Sequence, residues 1–290
     1  MRYIITAFIT LCMSCSHQDS NDLKLKKDII GEWYCDSEVY LVTDSTEKGP
    51  PPLPYLNRNG YSFSIDDSFE LKQGFRKILE FGDNNRTPQF VGYKTTFKIE
   101  NDSLKIFDFL QNRWYSEKIL KLTKDSLWLL RVNPLIHEYQ YIDKYVRFQA
   151  KNSENLIFDK ITLSCSGCLG FCPELKISID ANEEAFFLGQ EHTTISGYFA
   201  ATVPKEKFED IFNHFRKLDL KTLPNDFDSH NSDDNTILIR FWKGNKQVKA
   251  VRDYGQVSPS AFACAYERLQ NLYQELNWTA IDEKQFDAHY

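Results

Sequence analysis

The sequence predicts a mainly β first domain followed by an α+β domain. The first is an antiparallel meander closing into a barrel or sandwich, and the second an antiparallel sheet carrying two helices. Three observations predict this. The chain has 290 residues, 42% hydrophobic and 14% aromatic, ample for two cores of ordinary size. Residues 28–150 show closely spaced alternating segments joined by short polar turns, without a strong helical period. Residues 155–278 run as four strands, a helix, a hairpin and a last helix.

Charge narrows the function classes. The net charge is −6, and 151–290 carries 15 Lys+Arg against 21 Asp+Glu, whereas 28–150 carries 16 against 18. No block of basic residues occurs. Binding to nucleic acid requires clustered cations against phosphates, so a nucleic-acid partner is not expected. An anionic lipid surface is set aside on the same ground.

The chain opens with Met1-Arg2-Tyr3, an apolar run from Ile4 to Leu11, and then Cys12-Met13-Ser14-Cys15. A basic start, a short apolar stretch and small residues form a secretory signal over 1–14. The apolar run is too short to span a bilayer as a helix. Ser14-Cys15 resembles the lipobox of bacterial lipoproteins, with Cys12 where the family has Leu. The resemblance implies that Cys15 is lipidated and that the partner of the N-terminus is a membrane. Ser16 after that cysteine resembles an outer-membrane address in a Gram-negative cell envelope. Residues 15–27 are polar and read as a tether.

In the first domain, strands are expected from Ile29 and near 59–65, 68–74, 90–99, 103–108, 112–122, 126–131 and 137–148. Gly49-Pro50-Pro51-Pro52-Leu53-Pro54 is a stiff surface loop that no sheet interior accepts. Cys35 alternates with Trp33 and reads as a core thiol. His137 is expected at a strand edge. Gly31-x-Trp33 and the pair Ile119–Leu122 and Leu127–Leu130 resemble the lipocalin-like domains of bacterial lipoproteins. That implies a lipocalin-like antiparallel β-barrel whose Trp33 closes one end and whose interior could hold a small apolar ligand. An interior filled by the chain's own side chains is the competing expectation.

The second domain begins after Ala150–Asn155. Phe158–Cys165 and Glu174–Asp180 alternate as strands, followed by Ala185–Leu188 and roughly 193–202. Pro204 opens a helix whose core face is Phe208, Ile211, Phe212, Phe215 and Leu218, with His214 on the solvent side. The acidic stretch Pro224–Asn235 lacks the glycine and terminal glutamate of a calcium loop and reads as surface. A hairpin turns at Lys243-Gly244-Asn245. The last helix covers Pro259–Leu276, with Cys264 opposite its apolar stripe. Gly167-Cys168-x-Gly170-x-Cys172-Pro173, the helix 205–218 and Val251-Arg252-Asp253-Tyr254-Gly255 resemble a bacterial family of unknown function found in exported proteins. The resemblance implies a fold and no activity.

Three chemistries fit the cysteine cluster. A thiol–disulfide redox site, using Cys165, Cys168 and Cys172, would make the protein a periplasmic redox enzyme. Such a site places its reactive cysteine at a helix N-terminus, whereas Cys172-Pro173 leads into a strand. A zinc site would combine these cysteines with Cys264 or a histidine, but no second cysteine pair is present. A structural disulfide Cys168–Cys172 fits an oxidising compartment, with Cys165–Cys264 as a second candidate bridge. Arg252, Asp253 and Tyr254 are candidate ligand-binding residues beside a turn; an ion pair ending a strand is the alternative. No nucleophile-serine motif or phosphate loop occurs. The expectation is binding or scaffolding without cofactor or metal, with a small apolar ligand or an envelope protein as partner.

Overall fold

The computed structural model describes residues 20–42, 59–80, 86–132, 139–150 and 156–290. The signal segment, Cys15, the proline-rich loop, His137 and the join at 151–155 lie outside the described residues. Contacts divide the chain into two compact units, Met1–Leu71 with Tyr93–Phe148, and Lys72–Gly92 with Gln149–Tyr290.

The expected meander closes. Strands β1 (Gly31–Val42), β2 (Gly60–Phe63), β3 (Ser68–Glu80), β4 (Arg86–Glu100), β5 (Ser103–Asp108), β6 (Arg113–Leu122), β7 (Ser126–Val132) and β8 (Tyr139–Arg147) form a closed barrel. Antiparallel pairing of β1 with β8 completes it, so no edge strand of the meander is left to recruit another chain. One end is plugged by side chains. Trp33 is fully buried and donates from Nε1 to the Ile29 carbonyl at 2.7 Å. The Arg147 guanidinium lies 4.1 Å from the Trp33 ring and donates to the carbonyls of Ile30 and Asp28. Gly31 makes this possible: its φ is +128°, and a Cβ there would stand 2.6 Å from Arg147 Nη1.

Residues 20–29 are helical (α1), so the expected tether is ordered over part of its length. The cause is a set of anchors on the barrel. Asp22 accepts from the backbone N–H groups of Asn101 and Asp102 in the β4–β5 turn. Lys26 pairs with Asp67 at 2.5 Å, and Ile29 is completely buried.

The second unit is built on an eight-stranded sheet, whose strands run β9 (Lys160–Cys165), β10 (Leu175–Asp180), β11 (Glu184–Gly189), β12 (Gly197–Thr202), β13 (Asp226–Asp228), β14 (Thr236–Lys243), β15 (Lys246–Tyr254) and β16 (Thr279–Ala280) in chain order. Their order across the sheet is β13-β15-β14-β9-β10-β11-β12-β16. All pairs are antiparallel except β13 with β15. Helices α2 (Lys205–Arg216) and α3 (Ser260–Asn271) start directly after Pro204 and Pro259. Their apolar faces meet Leu163, Ile177, Phe187, Ile239 and Val251 in one core.

Three features depart from the expected domain. The chain continues past 278 into β16 and α4 (Glu283–His289), whose Phe286 is buried. Helix α4 covers the opposite sheet face, since His289 stacks on Phe186 while neighbouring Phe187 points into the main core. Part of the acidic stretch, Asp226–Asp228, forms a strand instead of a loop. His214 is buried, because α3 packs over the α2 face that carries it. Its Nδ1 lies 2.8 Å from the Asp210 carbonyl, and beside it Arg268 pairs with Asp210.

Candidate functional site

Above its aromatic plug the barrel interior turns polar, for a reason found in one bulge. In β1, Trp33 and Cys35 face inward, opposite Arg147 and Tyr145. The register then shifts between Cys35 and Ser37. A bulge inserts one unpaired residue and exchanges the faces beyond it. Glu38 therefore stands opposite Asp143, and Tyr40 opposite Tyr141. Simple alternation from Trp33 would have sent Glu38 to solvent.

Strand β8 contributes Asp143, fully buried between Tyr141 and Tyr145 along its inner face. Strand β7 presents Leu127, Leu129 and then Arg131; strand β6 presents Tyr115, Glu117 and Ile119. Arg131 joins the acids. It donates from Nε to Asp143 Oδ2 at 2.9 Å and from Nη2 to Glu38 Oε2 at 2.6 Å. Its plane lies 4.7 Å from the Tyr141 ring. Beneath them Tyr61 stacks on Tyr145, with ring centroids 4.8 Å apart, and meets Phe69 edge-on. Phe63 and Phe97 continue this aromatic floor.

Electrostatically the group is unbalanced: Glu38, Glu117 and Asp143 share one guanidinium. Glu117 is 2% exposed, and among the described residues its Oε2 has no hydrogen-bond partner. Burial, followed by the charge of Asp143, pushes the Glu117 carboxyl up to about 8. Burial and Asp143 likewise raise Glu38 to about 7, against the pull of Arg131. Near neutral pH the layer therefore holds protons that free carboxylates would have released. It can accept hydrogen bonds, compensate a cation, or exchange protons with what it binds.

The cysteine loop is a separate feature of the second unit. Cys168 and Cys172 form a disulfide, with Cα atoms 5.6 Å apart. The loop is laced to its neighbours: Leu169 N–H donates to Asp233 O at 3.2 Å, and Thr236 N–H to Ser166 Oγ at 2.8 Å. Glu174 and the Gln190–Glu191 segment exchange backbone hydrogen bonds. At the tip Leu169 is exposed, and Phe171 meets His192 edge-on.

The second candidate bridge does not form: Cys165 and Cys264 are buried thiols not joined by a disulfide. Cys165 points into the sheet's apolar core from β9, whereas the Cys264 sulfur lies 3.8 Å from Gln73 Oε1. Burial pushes both thiols well up, which withholds the thiolate needed for exchange or metal ligation. With Cys168 and Cys172 bonded to each other, no thiolate cluster is assembled among the described residues. Among the described residues, no group of three or more His, Cys, Asp or Glu is placed to hold a metal ion.

Arg252, Asp253 and Tyr254 divide by strand alternation. Asp253 is fully buried; its carboxylate accepts from the N–H groups of Val257 and Ser258, the Ser258 hydroxyl, and the Tyr266 hydroxyl at 3.0 Å. It ties the β15 turn to α3. Gly255 follows with φ +70°, where a Cβ would strike Ser229 Oγ at 2.2 Å. Arg252 faces outward and pairs with Asp226 at 2.8 Å and Asp228 at 3.5 Å. Tyr254 accepts from Asp234 N–H through its hydroxyl. The structure thus gives Asp253 an internal task and leaves Arg252 lining an open depression with Asn225, Leu238 and Lys249. A second cleft, of about 170 Å³, is lined in part by Pro173, Gln256, Glu267 and Gln270, joining residues next to both sequence motifs.

Residues 159–273 match the family described as "Domain of unknown function (DUF6438)", and this segment, from β9 through α3, forms such a domain. The comparison with curated proteins gave no match.

Proposed function

We propose that this is a lipid-anchored cell-envelope protein whose work is binding or scaffolding, not catalysis, with the barrel as its ligand-holding part. The observation that supports it best is the closed eight-stranded barrel, in which an aromatic floor gives way to a layer of acids and tyrosines. An apolar body packs on such a floor, and a few polar groups fix its orientation. The anchor is Cys15 at an outer membrane, and the partner is a small apolar ligand or another envelope protein. A Cys168–Cys172 disulfide suits that oxidising compartment.

Native mass spectrometry of the protein purified from its own membrane tests the ligand. A bound apolar molecule is expected, and a reproducibly empty barrel would overturn that part. For the anchor, metabolic labelling with an alkynyl fatty acid should tag the wild type and not Cys15→Ser. Label retained on the variant would remove Cys15 as the site.

A further inference from the structure

The apolar-ligand reading leaves the acid layer without a task, and there the observations go further. Three carboxylates from three strands face one guanidinium, and Arg131 spends its bonds on Asp143 and Glu38. Glu117 is left with the Tyr115 hydroxyl as its hydrogen-bonding neighbour, while Oε2 stays bare inside the barrel. A buried polar oxygen without a hydrogen-bond partner is costly to keep, and more so when it carries charge. Natural interiors seldom leave such a group unsatisfied unless something else satisfies it. The surroundings identify that missing group. An anion would meet a layer in which three acids outnumber one guanidinium. A neutral apolar group would leave Oε2 as it is. A positively charged N–H donor would satisfy the oxygen and balance the layer.

We propose that the ligand of the barrel carries a cationic nitrogen head, an ammonium or amidinium, that docks on Glu117 while its apolar body lies on the Tyr61–Phe63–Phe97 floor. This rests on the barrel being the ligand-holding part and adds the class of its head group. The tyrosine rings around the layer suit a cation as well, since their faces attract positive charge. Binding is coupled to protons. At neutral pH the incoming R–NH3⁺ replaces the proton on the Glu117 carboxyl, which leaves to the buffer, so charge balances. The groups facing Glu117 are Tyr115 on its own strand, Arg131 on β7, and Asp143 and Tyr145 on β8. Tyr61 on β2 and Glu38 on β1 complete the layer. Of these, Glu38 is the second proton source.

The test is calorimetry on the full mature chain carrying Cys15→Ser, which dispenses with detergent. The probes are hexylammonium and hexan-1-ol, near pH 7, in two buffers of different ionisation enthalpy. Hexylammonium is expected to bind about tenfold or more tighter than the alcohol, as a charge-assisted hydrogen bond requires. On the order of one proton should be released per ligand. In Glu117→Gln, with its circular dichroism unchanged, that preference and that release should both disappear. Equal binding of the two probes without proton release in the wild type would overturn the head-group assignment while sparing the apolar-ligand reading. Proton release that survives in Glu117→Gln would also overturn it, by moving the cation to Glu38. If neither probe binds, the barrel-ligand reading falls, and this inference with it.

Discussion

The two units bury their acids in opposite ways. In the second, Asp253 lies in the interior with donors from two backbone N–H groups and two hydroxyls gathered around it. In the first, Glu117 is equally hidden, but one oxygen is left bare and a second acid stands nearby. A buried charge that is fully solvated by the protein is architecture: it fixes a turn against a helix. One left short of donors is costly to keep, and the fold holds it only because the surrounding strands determine its position. This difference separates the conspicuous Arg-Asp-Tyr-Gly segment from the inconspicuous barrel strand as places to look for function.

The largest expected effect is on pH dependence. Folded Glu117 titrates near 8 instead of its ordinary 4.5, so between these values the folded state binds more protons than the unfolded one. The barrel should therefore be most stable below about pH 4.5 as far as this group is concerned, and lose on the order of 5 kcal/mol as pH rises from there through 8. Glu117→Gln should abolish that loss, seen as slower hydrogen exchange in β6 peptides above pH 8 and little change near pH 5. A wild-type barrel whose exchange protection does not fall over this range would break the comparison. The second unit should show the opposite sign. Burial, then Arg268 and Lys72, lower His214 from its ordinary 6.5 to about 4. Its contribution is fully present above 6.5 and lost as pH falls through 4, which α2 peptides should report.

Removing the guanidinium comes next. Arg131→Met leaves Asp143 and Glu38 without their cation, and should destabilise the barrel by about 3–4 kcal/mol at neutral pH. The loss should shrink in acid, where the carboxyls become neutral; a loss independent of pH would mean that Arg131 acts by packing. Asp253→Ala strands the Val257 and Ser258 N–H groups and the Tyr266 hydroxyl. We expect about 3 kcal/mol from denaturant unfolding followed at Trp242, with barrel exchange unchanged. The smallest effect belongs to the conspicuous cysteines. Replacing Cys168 and Cys172 together by Ser opens a short ring, worth about 2 kcal/mol by loop-closure entropy. A loss far above this would make the loop a folding determinant of the whole sheet.

Much of the architecture was legible. Alternation along Tyr115, Glu117 and Ile119, and along Leu127, Leu129 and Arg131, already places an acid and a base among inward positions. Asp143 was marked in the same way, between Tyr141 and Tyr145. The Cys168–Cys172 pairing was also legible, since the two lie four residues apart with glycines beside Cys168. The Cys165–Cys264 pairing failed because spacing along a helix says which face a thiol occupies, not what covers that face. His214 failed for the same reason: α3 and Arg268 cover it.

The sequence by itself determined a strand meander with a Gly31-x-Trp33 start and an α+β second half. Period-two alternation and turn chemistry are local, so they survive being read one segment at a time. Only the tertiary structure decided that Glu38 faces inward, because the bulge at Asp36 shows itself only when β1 is paired with β8. It alone closed the barrel and set three acids around one arginine. Such a balance depends on which strands become neighbours: β6, β7 and β8 follow one another, but β1, which brings Glu38, lies far from them in the chain.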